Sequence, residues 1–179
     1  ELSIPTIYLH IGCEKTGSTY LQNFLITNRA VLLSEGFLYF DQFESWNLLS
    51  YLQCKRGDSA FRNSSHGRSW FETFCQSIRD FGGDVIISQE NFWAGECLYL
   101  DEFKEIFCDY RIVVIVYVRN QLEWLESWYQ ETIKQVPGFD KSLAEWELPL
   151  DYVEYDKKLV GWQRLFDNRV VDRVFDREK

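Results

Sequence analysis

The sequence of 179 residues is poor in the features that build membrane spans, metal sites and linkers. Its longest charge-free apolar run, residues 112–118, is about a third of the ~20 residues that a transmembrane helix needs. It has two histidines, and its five cysteines show no Cys-x-x-Cys spacing, so neither a structural zinc site nor a full disulfide framework is expected. Three prolines and ten glycines exclude collagen-like and low-complexity chains.

Methionine is absent, so we expect a trimmed or processed chain, and a signal or anchor removed upstream would be invisible in this sequence. The first residues also lack the basic and then apolar segments of a secretory signal peptide. We expect the cysteines to be buried free thiols in a reducing compartment. The triplet Asn63-Ser64-Ser65 fits an N-glycosylation acceptor and keeps a secretory compartment open.

Positive charge is also scarce, because 19 Lys and Arg face 28 Asp and Glu, a net charge of −9. This balance argues against a broad nucleic-acid surface, and any anionic ligand has to be held locally. Hydrophobic residues make up 46% and charged residues 26%, as in a compact globular chain. We therefore expect one domain spanning residues 1–179.

Short runs of β-branched and aromatic residues alternate with segments of helical periodicity. Strands are predicted at residues 6–11, 37–40, 84–88, 111–118 and 169–175. Helices are predicted from residue 18 to Gly36, over 43–52, from Trp70 to Gly82, from 120 to Pro137, and around Tyr152 to Phe166. A surface loop is predicted at 55–68. This order predicts an α/β fold with a mainly parallel sheet between helical layers, with ligands at the carboxyl ends of its strands.

A glycine-containing loop follows the first strand, with the sequence Gly12-Cys13-Glu14-Lys15-Thr16-Gly17-Ser18-Thr19. A turn that enters a helix presents unpaired N–H groups at the positive end of the helix dipole, and Lys15, Ser18 and Thr19 add further donors. The pattern predicts an anion cradle, with an ordinary strand-to-helix turn as the alternative. In a nucleotide-hydrolysing P-loop the lysine follows the glycine, whereas here it precedes it.

Two further strand ends carry candidate residues. Arg119 follows the most apolar strand, where its planar fork could bind a phosphate, or could simply pair with Glu123 at the surface. Ser127, eight residues later, would pass on its own as an exposed helical residue. Glu90 follows the strand at 84–88, with a helix-capping or loop role as the alternative.

The segment from His10 to Gln22 resembles the 5′-phosphosulfate loop of sulfotransferases that use 3′-phosphoadenosine 5′-phosphosulfate (PAPS), especially the bacterial carbohydrate-type branch. That family also has a strand ending in Arg with a Ser eight residues later, a spacing that Arg119 and Ser127 reproduce. The resemblance implies a P-loop-like α/β fold and assigns the 3′-phosphate to Arg119 and Ser127. It assigns the 5′-phosphosulfate to Lys15, Thr16, Gly17, Ser18 and Thr19.

The reaction that this resemblance implies moves a sulfuryl group from PAPS to an acceptor hydroxyl, expected on a carbohydrate, and leaves adenosine 3′,5′-bisphosphate. Lys15 would stabilise charge on the bridging oxygen, and no metal is required. Glu90 occupies the position of the family's base, and rings at Phe92 and Trp93 would partly desolvate it. These rings and Trp128 are also candidates to stack on an acceptor ring.

Two positions beside the loop are less clear. His10 is kept as a minor candidate for catalysis, since a histidine in an apolar strand is more often a core residue. Glu14 departs from the family pattern, because many relatives have His there, and a carboxylate beside a phosphosulfate is unhelpful unless it points away or contacts Lys15.

Two other functions remain open. A P-loop kinase or NTPase would need a carboxylate at a strand end for Mg²⁺. A catalytically inactive nucleotide- or glycan-binding module fits a chain that stops at its last strand, where relatives continue with more helices. Acceptor specificity is expected in the loops at 55–68 and 136–150, and the sequence indicates no oligomeric state. Taken together, the sequence features described above favour a bacterial cytoplasm over a Golgi lumen as the location of the protein.

Overall fold

The computed structural model describes residues 4–53, 60–94, 100–146, 153–167 and 169–175. The strands are Thr6–His10 (β1), Phe37–Phe40 (β2), Asp84–Ser88 (β3), Arg111–Val118 (β4) and Val170–Val174 (β5). The helices are Ser18–Thr27 (α1), Arg29–Ser34 (α2), Gln42–Gln53 (α3), Ala60–Asn63 (α4), Ser65–Phe81 (α5), Asn91–Ala94 (α6), Leu100–Ile106 (α7), Gln121–Gln135 (α8) and Tyr155–Leu165 (α9).

The five strands form one all-parallel sheet in the order β2-β3-β1-β4-β5, with helices around it in a three-layer α/β arrangement. β1 is central, and its last residue His10 lies opposite Ser88 of β3 and Ile115 of β4. The connection after β1 runs to the edge strand β2, whereas those after β3 and β4 run the other way. Such a reversal opens a crevice at the carboxyl end of β1. The predicted fold class is confirmed.

The hydrophobic core lies against the sheet. The burial of β4 explains why the sequence of this strand is an unbroken apolar run. Ile112, Val114 and Val116 are buried on one side, while Val113 and Ile115 are half-buried on the other. Both faces are therefore covered, although unequally, as parallel strands require. Large aromatic side chains fill much of the remaining core volume, among them Trp93, Trp124, Trp162, Phe103 and Phe166.

The predicted helix from residue 18 to Gly36 is wrong, since α1 ends at Thr27 and α2 begins at Arg29. Between them, the side-chain amide of Asn28 donates to the Phe24 carbonyl at 2.8 Å. A side chain that bonds its own helix in this way competes with the backbone ladder. Within α1, Phe24 is 53% exposed while Gln22 is buried, the reverse of what the polarity of these side chains suggests.

The predicted surface loop at 55–68 is wrong for the part that the structure describes. Residues 60–63 form α4 and residues 65–68 begin α5, while 55–59 lie outside the described ranges. Ser64 caps α5 by accepting a hydrogen bond from the Gly67 N–H at 2.9 Å. Phe61 packs near Trp70, with ring centroids 5.9 Å apart. Cap and ring contact together stabilise helix in a segment whose polar composition indicated a loop.

The remaining predictions about single residues divide as follows. Cys13 and Cys75 are buried free thiols, but Cys108 is exposed, so the prediction of burial is wrong there. The predicted helix residue Tyr152 lies outside the described ranges, as do Cys54 and Cys97. None of the helices within those ranges combines the length and apolar character that crossing a membrane requires.

Replacing Gly12 by alanine should destabilise the protein more than replacing Gly36. Both glycines have positive φ, 71° and 86°, which costs an alanine about 1–2 kcal/mol. At Gly12 the new methyl carbon would also lie 2.5 Å from Cβ of Glu90, whereas nothing lies within 4 Å at Gly36. Urea unfolding should show an extra loss of ~1–3 kcal/mol for Gly12→Ala. Equal losses would contradict the close packing of the loop on Glu90.

Candidate functional site

A cavity of about 430 Å³ opens at the carboxyl edge of the sheet, beside the loop that follows β1. We call it the lysine cavity. Its walls come from the loop, from the end of β3 and from α8. The lining residues are Glu14, Lys15, Gly17, Ser18, Thr19, Glu90, Trp128, Glu131, Thr132 and Gln135. The lysine, most of the loop residues and the glutamate singled out in the sequence thus share one cavity.

The carbonyl group of Cys13 is held by hydroxyl groups of the loop itself. Thr16 donates its hydroxyl to the Cys13 carbonyl, and Ser18 reaches the same oxygen at 3.5 Å. Thr16 is buried and does not line the lysine cavity. Burial also raises the pKa of the Cys13 thiol to about 12, so this sulfur stays protonated. Cys13 and Thr16 are therefore supports of the loop.

The next two carbonyl groups are held by buried side chains from β4 and α8. Trp124 donates its indole N–H to the Glu14 carbonyl at 2.8 Å. Arg119 donates from Nη1 to the Lys15 carbonyl at 3.4 Å. Their buried positions, 0% and 6% exposed, place both donors on the interior side of the loop. Three successive carbonyl oxygens are thus tied inward.

These ties determine where the N–H groups of the loop point. The described peptide bonds are all trans, and in a trans peptide the C=O and N–H groups point in opposite directions. The N–H groups of residues 14, 15 and 16 are therefore turned away from the interior donors. Lys15 has a φ of 65°, unusual outside glycine, and it curls the loop between Gly12 and Gly17. Successive N–H groups in such a curl form an anion-binding concavity.

The start of α1 extends this concavity. Gly17 is the N-cap residue, with a φ of 82°, and within the described chain no side chain caps the first turn. The first-turn N–H groups of a helix have no intrahelical partner and carry the positive end of the dipole. Loop and helix start together thus carry a series of N–H groups without a side-chain cap in the first turn, and anion binding at this place stays a prediction.

The amino group of Lys15 contacts a carboxylate that the sequence did not identify as a site residue. Its Nζ lies 3.4 Å from Oε2 of Glu131, while Gln135 donates to the other oxygen at 2.7 Å. The hydrogen bond from Gln135 and then the charge of Lys15 lower the pKa of Glu131, which stays ionised at neutral pH. Lys15 therefore already contacts one anionic oxygen, that of the Glu131 carboxylate.

Two other carboxylates line the lysine cavity. Burial and then the nearby charge of Glu90 raise the pKa of Glu14, while Lys15 opposes the rise. Glu14 is thus one of the residues that line the cavity, and the charges of Glu90 and Lys15 both act on it. Phe92 and Trp93 are buried in the core, at 0% and 1% exposure, and neither lines the lysine cavity. Their rings cannot stack on an acceptor.

Arg119 and Ser127 lie apart from the lysine cavity, as far as the described residues show. Besides its contact with the loop, Arg119 donates from Nε to Glu123 at 3.0 Å. The alternative of a pair with Glu123 is thus correct about the partner but wrong about the location, because Arg119 is buried. Asn120 caps α8 by accepting from the N–H groups of Leu122 and Glu123. Ser127 is half-buried on this helix.

His10 belongs to a buried polar cluster beneath the loop. Its Nδ1 lies 2.8 Å from the Ser88 hydroxyl, which Gln22 also approaches at 3.4 Å. Burial lowers the pKa of His10 to about 4, so the ring is neutral at physiological pH. The structure therefore supports a core position for this histidine.

A second, largely apolar cavity of about 230 Å³ also borders the loop. It is lined by His10, Thr16, Gly17, Ser18, Tyr20, Leu21, Tyr117 and Phe175. The sequence analysis did not identify this cavity. Its strongest sequence signal is Tyr20, a large aromatic residue one turn into a helix, and its side chain is 80% exposed.

Comparisons with known proteins leave the family open. No family model matches the chain. Over 96 residues, 52% of this chain, it is 30% identical to an uncharacterized protein of Archaeoglobus fulgidus, and the match spans 25% of that protein's length. A solved chain from a study of the PezAT chromosomal toxin-antitoxin system of Streptococcus pneumoniae aligns with 99% of this chain and 72% of its own length, at 12% identity and a TM-score of 0.49. The function of this chain therefore has to be inferred from the residues of the site.

Three site residues were missed by the sequence analysis as functional candidates: Trp124, Glu131 and Gln135. Glu131 shares a helix face with Glu123 and Ser127 at four-residue spacing, which was the available signal. The role of Trp124 had no such signal, because its partner is a carbonyl group 110 residues away.

Replacing His10 by asparagine should reduce the loss of stability on acidification. The unfolded histidine has a pKa of 6.5 and the folded one about 4, so in this window only the unfolded state takes up the proton. Between pH 7.5 and 5, wild-type protein should lose about 2 kcal/mol more of its unfolding free energy than His10→Asn. Parallel pH profiles for wild type and His10→Asn would refute the buried, neutral assignment.

Proposed function

We propose that the protein is a sulfotransferase that moves a sulfuryl group from PAPS to an acceptor hydroxyl, with a carbohydrate as the expected acceptor. The observation that carries the proposal is the loop after β1. Three of its carbonyl groups are held from the interior, their N–H groups are turned away from that side, and Lys15 shares a cavity with a carboxylate, Glu90. The resemblance of residues 10–22 to a phosphosulfate loop supports the same conclusion. PAPS, when bound, supplies a sulfuryl group joined through an oxygen to its 5′-phosphate.

The loop residues fit the phosphate end of this donor. The N–H groups of residues 14–16 and the first turn of α1 supply hydrogen bonds, and the hydroxyl groups of Ser18 and Thr19 border the cavity. Thr16 contributes through its backbone, because its hydroxyl is engaged by the Cys13 carbonyl. Held in this way, the donors need little reorganisation when charge develops.

Lys15 stabilises the negative charge that develops on the bridging oxygen. To do so it exchanges its present partner, Glu131, for the ligand, and its side chain is only partly exposed, at 28%. Because the side chain is partly buried, such a contact is stronger than at a free surface. This is the principal catalytic role that we assign.

Glu90 is the proposed general base. It accepts the proton of the acceptor hydroxyl while the acceptor oxygen forms its bond to sulfur and the sulfur–bridging oxygen bond breaks. Its main chain is fixed on both sides: Gly12 packs against its Cα and Cβ, and its carbonyl accepts from the Trp93 N–H at 3.0 Å. A fixed backbone holds the carboxylate within the cavity that contains Lys15.

Arg119, with Ser127, is proposed to bind the 3′-phosphate of the donor. Arg119 uses Nε and Nη1 in the contacts described above, and Glu123, its partner at Nε, is 56% exposed. A phosphate can replace such a carboxylate at modest cost, because an exposed partner is readily solvated. The contact to the Lys15 carbonyl links this end of the nucleotide site to the loop.

The direct test is transfer of radiolabelled sulfate from PAPS to a panel of neutral, amine-bearing and acidic oligosaccharides in magnesium-free buffer. The proposal requires labelled oligosaccharide and an equal amount of adenosine 3′,5′-bisphosphate. Absence of both products with every acceptor would refute it.

Lys15→Ala should abolish transfer and leave the fold intact, because a partly exposed loop lysine contributes little to stability. Lys134→Ala, which removes an exposed lysine near the end of α8, is the matched control and should keep wild-type activity. Initial rates and urea unfolding should be measured for both variants. Activity of Lys15→Ala within tenfold of wild type, about 1.4 kcal/mol of transition-state stabilisation, contradicts the assigned role.

Glu90→Gln should lower turnover by ~10² to 10⁴, the usual contribution of a general base, while PAPS binds with nearly unchanged affinity. Glutamine keeps the size of the side chain but cannot accept the proton. Glu105→Gln alters an exposed carboxylate of α7 and serves as control. If Glu90→Gln keeps its turnover while Glu14→Gln loses it, the base is Glu14, which lines the same cavity.

A further inference from the structure

The lysine cavity contains more negative than positive charge. Glu14, Glu90 and Glu131 line it, and among the described lining residues Lys15 is the one cation. This excess is unexpected in a site proposed to bind an anionic donor. It calls for an explanation in terms of the second substrate.

Glu131 is the carboxylate whose surroundings change most when a donor binds. At present its two oxygens have different partners, Lys15 at 3.4 Å and Gln135 at 2.7 Å. The proposed function, on which this inference rests, gives Lys15 to the donor. Glu131 then loses its ion pair with Lys15 and keeps the neutral amide of Gln135, with the charge of Lys134 as a smaller influence.

The position of Glu131 suits contact with an acceptor. It stands on α8, on a wall formed with Trp128, Thr132 and Gln135, whereas the cradle belongs to the loop and α1. Trp128 adds an aromatic surface, and indole rings attract cations more strongly than other aromatic side chains. Once Glu131 has lost its contact with Lys15, its carboxylate beside this ring attracts a positively charged group and repels a negative one.

We propose that Glu131 is a specificity-determining residue that pairs with Lys15 before the donor binds and with a positively charged group of the acceptor afterwards. The acceptor class is therefore an alcohol that also carries an ammonium group, such as an oligosaccharide of amino sugars with free amines. Glu14, close enough to Glu90 for their charges to interact, adds to the repulsion of acidic acceptors.

The test compares three oligosaccharides of equal length: one with free amines, its N-acetylated form, and one of uronic acids. We expect kcat/KM to be at least tenfold higher for the amine than for the N-acetylated form, and lowest for the uronate. The preference should weaken as salt is added, because the charges are partly exposed. In Glu131→Gln the preference for the amine should fall to threefold or less.

Two controls make the result specific. Glu126→Gln removes an exposed carboxylate of the same helix that does not line the cavity, and it should retain the full preference. Glu131→Gln should also bind adenosine 3′,5′-bisphosphate at least as tightly as wild type, because Lys15 no longer has a carboxylate to leave.

The possible outcomes separate the two proposals. Transfer to none of the three acceptors overturns the proposed sulfotransferase function and this inference with it. Transfer without preference for the amine, or a preference that survives in Glu131→Gln, overturns the role of Glu131 and leaves sulfuryl transfer standing.

Discussion

The hydrogen bonds that hold three consecutive loop carbonyls are the constraint on which the site depends. Thr16 holds the Cys13 carbonyl, Trp124 that of Glu14, and Arg119 that of Lys15. All three donors are buried, so the packing that stabilises the fold also sets the direction of the loop N–H groups. A cradle built in this way is rigid before any ligand arrives, which is what electrostatic stabilisation of a transition state needs.

Charge is the second constraint, and it acts against the first. The chain has a net charge of −9, and three carboxylates line the cavity that contains Lys15. An anion therefore gains little from the long-range field of the protein and depends on short contacts with the cradle. In the absence of a ligand Glu131 forms an ion pair with Lys15. This pair partly offsets the repulsion among the carboxylates that line the cavity. The same arrangement leaves a carboxylate available for the acceptor once the donor is bound.

The sequence predicted the strands, the parallel sheet and the loop, because these follow from local patterns: short β-branched runs and glycines at a strand end. It did not predict contacts between distant segments. Gln22 is buried and Phe24 exposed, against the apolar periodicity, because Gln22 reaches Ser88, 66 residues along the chain. Phe92 was expected beside the acceptor but packs in the core. Glu131 meets Lys15 only because α8 packs beside the loop, and no local pattern reports that packing.

We propose that the loop after β1 and the end of β4 form one site for a nucleotide phosphorylated at both its 5′ and 3′ positions. Isothermal titration calorimetry in magnesium-free buffer, with adenosine 3′,5′-bisphosphate and adenosine 5′-phosphate as the two ligands, tests it most directly. We expect saturable binding of one bisphosphate per chain, at least about tenfold tighter than the monophosphate, since a charge-assisted contact to the 3′-phosphate contributes roughly 1.5–3 kcal/mol. Equal affinity for the two nucleotides, or binding of neither, would contradict it.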